Sequence, residues 1–136
     1  MNDLIHPSRE ADLAALLLRV STGGLFLIHG LIKLFIFTPA GTAGYFESLG
    51  LPGVLGYATM LIEIAGGLAL IAGVLVRPIS LVMAATLLGA AWFGHGGAGF
   101  TFSNPGGGWE YPVFWAIVMV ALSLLGGGSI ASLGRK

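Results

Sequence analysis

Long apolar runs broken by very few charges dominate this chain and constrain its fold more than any other feature. Of 136 residues, 56% are hydrophobic and only 9% are charged, and the mean hydropathy is +0.94. About 25% of the residues of an ordinary soluble domain are charged, so this chain lacks the polar surface that would cover a water-soluble core. The sequence therefore predicts an all-α integral membrane protein in contact with the lipid bilayer.

Charge and cysteine content exclude several classes of function. Six Lys and Arg residues balance six Asp and Glu residues, and the chain shows none of the clustered basic charge that nucleic-acid binding requires. The absence of cysteine excludes disulfides, thiolate catalysis, cysteine-ligated zinc and iron–sulfur clusters within this chain. Redox chemistry would therefore need a bound cofactor or a partner protein.

Four apolar runs predict a four-helix bundle that forms one transmembrane domain over residues 1–136. Crossing the hydrocarbon core takes about 20 apolar residues. The first run, from Leu13, is too long for a signal peptide and lacks a small-residue cleavage site, so we expect it to remain as a helix. The fourth run is short, and we expect it to continue through Ser129–Leu133 or to cross with little tilt. The predicted spans are 13–37, 54–76, 79–94 and 111–126.

Two loops separate these spans on one side of the membrane. In Thr38–Gly53, Thr38 and Pro39 predict the start of a short interfacial helix with an aromatic face. The loop His95–Trp109 is rich in glycine and should be irregular. Neither loop contains Lys or Arg, so the positive-inside rule places both termini in the cytoplasm. The basic residues on the opposite side are Arg9, Arg77, Arg135 and Lys136.

Ionisable residues inside the apolar spans are the strongest pointers to function. A charged group near the centre of a membrane helix costs about 2.5–3.5 kcal/mol, so such residues should face the bundle and find partners. With a rise of about 1.5 Å per residue, His29 lies about 12 Å and Glu63 about 15 Å from the outer ends of their helices. We therefore expect these two side chains to interact. The residues concerned are Arg19, His29, Lys33 and Glu63.

Glycines accompany these residues at helical spacing, which favours a face where two helices approach closely. The positions on the first helix are Arg19, Gly23, Phe26, Gly30 and Lys33, and those on the second are Gly56, Glu63, Gly67, Leu70 and Arg77. Exposed glycine faces also favour self-association, so a homo-oligomer such as a dimer stays a hypothesis.

An outward-facing polar pocket between the first two spans follows from this pattern. We assign His29, Glu63 and Lys33 as candidate catalytic residues. Residues at the outer ends of the third and fourth spans are candidate cofactor-binding residues, namely His95, Trp109, Glu110 and Tyr111. A quinone is the candidate cofactor. No haem is expected, because His29 and His95 differ in depth by about 12 Å, and no ligand-dense motif predicts a metal site.

Purely structural interpretations remain open for each of these residues. A contact between His29 and Glu63 would also serve to join two helices, and Lys33 lies close enough to the interface to extend toward water. Trp109 and Tyr111 fit an interfacial aromatic belt, whereas His95 and Glu110 fit a solvated loop. For Arg19, a structural or topological role is the leading interpretation.

The ordered combination of motifs resembles the DoxX family of small bacterial four-helix membrane proteins, from about Leu13 to the end of the chain. The residues that carry the resemblance are Arg19-Val20, Gly23, Phe26, His29-Gly30 and Lys33-Leu34; Tyr45-Phe46 and Leu49–Pro52; Glu63, Gly66–Leu68, Leu70, Gly73 and Arg77; and His95, Gly99-Phe100 and Gly108–Pro112. The resemblance implies a multi-pass protein of the bacterial cytoplasmic (inner) membrane. It also implies similarity to the membrane subunit of a thiosulfate:quinone oxidoreductase, and a partner oxidoreductase. It transfers no catalytic residues.

Three functions are compatible with these features. The first is a membrane subunit of a quinone-linked oxidoreductase system, which quinone titration would test. The second is a non-catalytic scaffold that recruits redox enzymes, for which partner activity would survive Glu63→Gln. The third is a small transporter or ligand-binding membrane protein, against which the lack of an inverted repeat argues. The resemblance places the quinone-linked subunit first.

Overall fold

The computed structural model describes residues 8–134, and over that range the chain is all-helical. Three of its helices are long and apolar enough to cross a membrane, counting α4 together with the π-helical turn that continues it. A fourth apolar helix, α5, has 16 residues. In chain order the elements are α1 (Arg9–Phe35), α2 (Pro39–Ser48), α3 (Val54–Ala72), α4 (Val76–Gly89), the π-helical turn Ala90–Gly94, a short 3₁₀ helix Gly96–Ala98, and α5 (Glu110–Leu125).

The starts of α1 and α2 are set by side-chain caps. Ser8 accepts a hydrogen bond from the Ala11 N–H at 3.1 Å, and Thr38 accepts one from the Gly41 N–H at 3.2 Å. Each cap satisfies one of the backbone donors that a helix N-terminus leaves without an internal partner. The interfacial-loop helix therefore begins at Pro39, the position that the sequence indicates.

The start of α4 lies earlier than predicted. Arg77 and Pro78 belong to its first turn, whereas the predicted span begins at residue 79. Proline is tolerated in the first turn of a helix, because its missing N–H would have no internal partner at that position.

The expected continuation of the last helix through Ser129–Leu133 is wrong. Helix α5 ends at Leu125, where Gly126 adopts a φ of 84° and opens a run of three glycines. The chain then folds back across the end of α3, where the Leu133 N–H donates to the Ala72 carbonyl at 2.8 Å. We call residues 126–134 the C-terminal strap.

Arg19 holds this strap in place. Its guanidinium is fully buried and donates to five backbone carbonyls, so every N–H group has a partner. Two acceptors lie at the end of α3 and three lie in the strap. They are Leu70 (3.3 Å), Ile71 (2.8 Å), Gly127 (3.1 Å), Ile130 (2.5 Å) and Ala131 (2.8 Å). The role of Arg19 is therefore structural, and the side chain does not extend toward water.

Arg77 joins the start of α4 to the end of α5 through backbone carbonyls. From the first turn of α4 it donates to the carbonyls of Ser123 (2.9 Å) and Leu124 (2.7 Å) at the end of α5. The Ser123 hydroxyl donates a hydrogen bond of 3.0 Å to the Arg77 carbonyl.

The start of α1, the end of α3, the start of α4 and the end of α5 thus lie together. We call this the terminal end, and the opposite end, with loops 36–53 and 95–109, the loop end. Arg135 and Lys136 lie outside the described residues.

Glycines bring α1 and α3 into backbone contact, as the sequence pattern predicted. A Cβ on Gly67 would lie 2.6 Å from the Gly23 carbonyl oxygen and 2.8 Å from the Leu27 nitrogen. A Cβ on Gly30 would lie 2.6 Å from the Ile64 side chain. These close approaches replace the hydrophobic driving force that helix association lacks in lipid.

The outer surface of the helices is apolar, which fits contact with lipid. Large hydrophobic side chains on α1, α3, α4 and α5 point outward, such as Leu17, Leu61, Leu81 and Phe114. The buried core is comparatively small and is built mainly from Phe26, Leu70, Met83, Met119 and Leu122.

We expect Gly67→Ala to destabilise the protein by about 1–3 kcal/mol, because the new methyl group meets backbone atoms that cannot move aside. Gly24→Ala is the matched control: it lies on the same pair of helices, with no atom within 4 Å of the added Cβ. That control should be neutral or stabilise the helix by up to about 1 kcal/mol. Unfolding in mixed detergent–SDS micelles measures both, and equal effects would contradict the packing described.

Candidate functional site

An ion pair joins α1 to α3 in the half of the protein nearer the loop end. Lys33 Nζ lies 2.9 Å from Glu63 Oε2 and 3.1 Å from Oε1, and the two side chains are 19% and 9% exposed. The Thr42 hydroxyl, from α2, donates to the Lys33 carbonyl at 3.1 Å. A Cβ on Gly30 would lie 3.2 Å from the Glu63 Cβ, so this glycine lets α1 approach the carboxylate.

The predicted contact between His29 and Glu63 is wrong. Lys33 engages both carboxylate oxygens of Glu63, and the His29 ring instead packs 5.6 Å from the ring of Trp115 at an angle of 60°. Helical rise gives the depth of a residue in the membrane, but it does not give the direction in which the side chain points. The long lysine side chain reaches the carboxylate from one turn farther along α1, which leaves His29 on the side that faces α5.

Trp115 on α5 is a candidate site residue that the sequence pattern did not single out. Its ring stacks on Phe26 with a centroid distance of 4.4 Å, and its indole Nε1 is buried without a hydrogen-bond partner. Among residues 8–134 the only other buried side-chain polar atom without a hydrogen-bond partner is the Ser80 hydroxyl. Buried polar atoms nearly always find partners, so an indole N–H left without one marks a position where an acceptor can bind. Trp115 lies five residues into α5, too deep for an aromatic belt, and that depth was the available signal.

His95 and Tyr111 form a second polar pair at the loop end. His95 Nδ1 lies 2.8 Å from the Gly107 carbonyl oxygen and 3.2 Å from that of Gly106. Its Nε2 lies 3.1 Å from the Tyr111 hydroxyl, and the two rings meet edge to face. The structure therefore brings together two of the four residues assigned to cofactor binding.

Helices α1 and α5 run in opposite directions, and the His29 and Trp115 rings pack against each other between them. Tyr111 precedes Trp115 by one turn of α5, and Lys33 follows His29 by one turn of α1. His29 and Trp115 meet at one level. Lys33 and Tyr111 both lie one turn nearer the loop end.

Trp109 and Glu110 have other surroundings. Trp109 packs edge-on against Phe100, with centroids 4.9 Å apart, and lines an open groove of about 460 Å³ between the π-helical turn and α5. The remaining lining residues are Leu88, Ala91, Trp92, Gly96 and Val113. Glu110 is the first residue of α5 and is partly exposed, and no ion pair or hydrogen bond to its side chain is found within residues 8–134. In the same range no three His, Asp or Glu residues come together in a way that would hold a metal ion.

The apolar helices and this polar interior define a multi-pass membrane protein. Residues 14–96 match the family model described as DoxX, which is more than half of the chain. The chain belongs to the DoxX family, as its motifs indicated. The matched range contains His29, Lys33, Glu63 and His95, whereas Tyr111 and Trp115 lie beyond it.

Two curated proteins are similar to this chain. One is named "Putative oxidoreductase CatD", from Bacillus subtilis (strain 168), and is 37% identical over 83 residues, 61% of this chain and 60% of that protein. The other is named "Inner membrane protein YqjF", from Escherichia coli (strain K12), and is 34% identical over 84 residues, 62% of this chain and 63% of that protein. The matches thus span less than two thirds of the length of either relative. No solved structure matches this chain.

Lys33→Met should destabilise the protein by about 3–5 kcal/mol, because it leaves the Glu63 carboxylate unpaired in a mostly buried position. Adding Glu63→Gln removes that charge and should recover most of the loss. The cycle of both single variants and the double variant, unfolded in mixed micelles, measures the coupling between the two residues. Additive effects would contradict the ion pair.

Proposed function

We propose that this chain is a membrane subunit of a quinone-linked oxidoreductase system. The single observation that carries the proposal is the buried Trp115 indole N–H, without an acceptor, beside the His29 ring. A relative named as an oxidoreductase supports the reaction class. Fold and family alone would not assign the chemistry, so the proposal rests on this local geometry.

Quinone binding requires a hydrogen-bond donor for a ring carbonyl, an apolar surround and a source of protons. The Trp115 N–H donates to one carbonyl oxygen, while Phe26 fixes the orientation of the indole from behind. His29 and the Lys33–Glu63 pair supply further hydrogen bonds and protons as the ring is reduced. Burying each of these polar groups in an apolar interior costs free energy, and hydrogen bonds to a bound ligand would offset part of that cost.

The groove lined by Trp92 and Trp109 lies outside the proposed ring site, because Trp109 and Val113 are on the face of α5 opposite Tyr111 and Trp115. Electrons come from a partner oxidoreductase, because the chain has no cysteine to hold an iron–sulfur cluster.

Trp115→Phe should weaken quinone binding about tenfold, since it keeps an aromatic ring against Phe26 and removes only the N–H donor. Equilibrium dialysis of duroquinone against the protein in nanodiscs measures the affinity. Trp92→Phe is the matched control for this short-chain quinone and should bind as the wild type does. If the wild type fails to bind duroquinone, or if both variants bind equally well, the quinone site is refuted and a scaffold function gains support.

We further propose that α1, α3, α4 and α5 form a bundle of four membrane spans with both termini in the cytoplasm. The support is the distribution of basic residues. Arg9 and Arg77 lie at the terminal end, whereas loops 36–53 and 95–109 contain no Lys or Arg. Basic residues near span ends are retained on the cytoplasmic side. The loop end then faces outward.

The lack of native cysteine makes this orientation directly measurable. Ser103→Cys, in the exposed second loop, should react with a membrane-impermeant maleimide in spheroplasts. Pro78→Cys, exposed at the terminal end, should react only after the membrane is permeabilised. The reverse pattern would place the termini outside.

A further inference from the structure

We propose that His95 and Tyr111 form a proton-transfer pair that connects the quinone site to water at the loop end. Tyr111 is the group that exchanges a proton with the ligand, and His95 is the positioning residue that supplies and receives that proton. This inference rests on the proposed quinone function and assigns a route to one of the two protons that quinone reduction consumes.

Backbone carbonyls fix the tautomer of His95. Carbonyl oxygens only accept hydrogen bonds, so Nδ1, at 2.8 Å from the Gly107 oxygen and 3.2 Å from the Gly106 oxygen, carries a hydrogen. In the neutral ring Nε2 is then the acceptor, and the Tyr111 hydroxyl donates to it across 3.1 Å. Protonation of His95 turns Nε2 into a donor, which reverses this hydrogen bond and frees the tyrosine hydrogen.

The loop is shaped to hold the imidazole in this position. Gly106 and Gly107 have φ values of 86° and 73°, a conformation that favours glycine, and together they present two carbonyls to one ring nitrogen. His95 is only partly buried, which leaves it within reach of water. Phe102 packs edge-on against Tyr111 at 5.3 Å and holds the phenol ring from the other side.

The position of Tyr111 points to the ligand. It lies one turn nearer the loop end than Trp115, on the same face of α5. Other ionisable groups near the pair are Glu110, beside Tyr111 in the chain, and Tyr45 of α2, whose hydroxyl lies against Gly94. Neither is hydrogen-bonded to His95 in the part of the chain described.

Reduction of a quinone to a quinol adds two electrons, supplied by a reduced flavin of the partner, and forms two O–H bonds. The Tyr111 O–H bond breaks as the first quinol O–H bond forms. The resulting phenolate takes the proton from Nε2 of the His95 imidazolium, and His95 is protonated again from water. The second quinol O–H bond takes its proton from the Lys33 ammonium, which is protonated again from water, and quinol oxidation runs through the same groups in reverse.

The test uses purified protein in nanodiscs with bound duroquinone and excess dithiothreitol as the two-electron reductant, since the chain has no cysteine to react with it. Quinone absorbance gives the rate, and each variant is compared with the wild type at the same pH, because the reactivity of the dithiol itself falls as its thiolate is protonated. Tyr111→Phe should lower the rate about 100-fold, with quinone affinity kept within about threefold. Tyr57→Phe, at an exposed tyrosine of α3, is the matched control and should leave the rate unchanged.

A second variant separates proton transfer from structural support. His95→Ala should slow the reaction comparably, and added imidazole should restore it at least tenfold if the ring acts as a proton carrier. If Tyr111→Phe binds duroquinone and is reduced at the wild-type rate, the proton-transfer pair is refuted while the quinone site stands. If the wild type binds no duroquinone, both proposals fail together.

Discussion

The ion pair between Lys33 and Glu63 is the interaction on which the arrangement of the site depends. Lipid-facing helices surround it, so neither charge can be left without its partner, and the pairing fixes α1 and α3 relative to one another. Glycine contacts make the pairing geometrically possible, because Gly30 removes the side chain that would separate α1 from Glu63. With the carboxylate occupied, His29 is left to face α5, where it meets Trp115. The ion pair thus leaves His29 next to the Trp115 indole, whose buried N–H has no hydrogen-bond partner.

The two ends of the protein satisfy their polar groups differently. At the terminal end Arg19 and Arg77 bind the last carbonyls of α3 and α5, and in Arg19 every donor has a partner. This matches the expectation that backbone groups in a membrane are satisfied internally. In the half nearer the loop end, the Trp115 indole has no acceptor. Arg19 and Arg77 thus hold the terminal end together, and the Trp115 N–H next to the His29 ring is the donor proposed to bind the ligand.

Local signals in the sequence predicted most of the fold, whereas contacts between residues far apart in the sequence could not be predicted. Thr38 and Pro39 start their helix as expected, and Gly23 and Gly67 lie at the predicted helix contact. The role of Arg19 was not predictable, because three of its acceptors lie in the strap, more than 100 residues along the chain. The partner of Glu63 was misassigned because depth alone does not say which way a side chain points. Trp115 was not predicted because the assignment of aromatic residues rested on the membrane interface, where Trp109 and Tyr111 lie, and Trp115 lies deeper in α5.

The central claim is that the Trp115 indole N–H is free to bind an acceptor inside the membrane, and NMR of the indole groups tests it most directly. The chain contains three tryptophans, so ¹⁵N-labelled protein in nanodiscs gives three indole signals, which single Trp→Phe variants assign. On addition of duroquinone the Trp115 signal should shift downfield, as a newly formed N–H···O bond requires, while the signals of Trp92 and Trp109 move less. An unchanged Trp115 signal at saturating duroquinone, or one already shifted downfield in the ligand-free protein, would contradict the account.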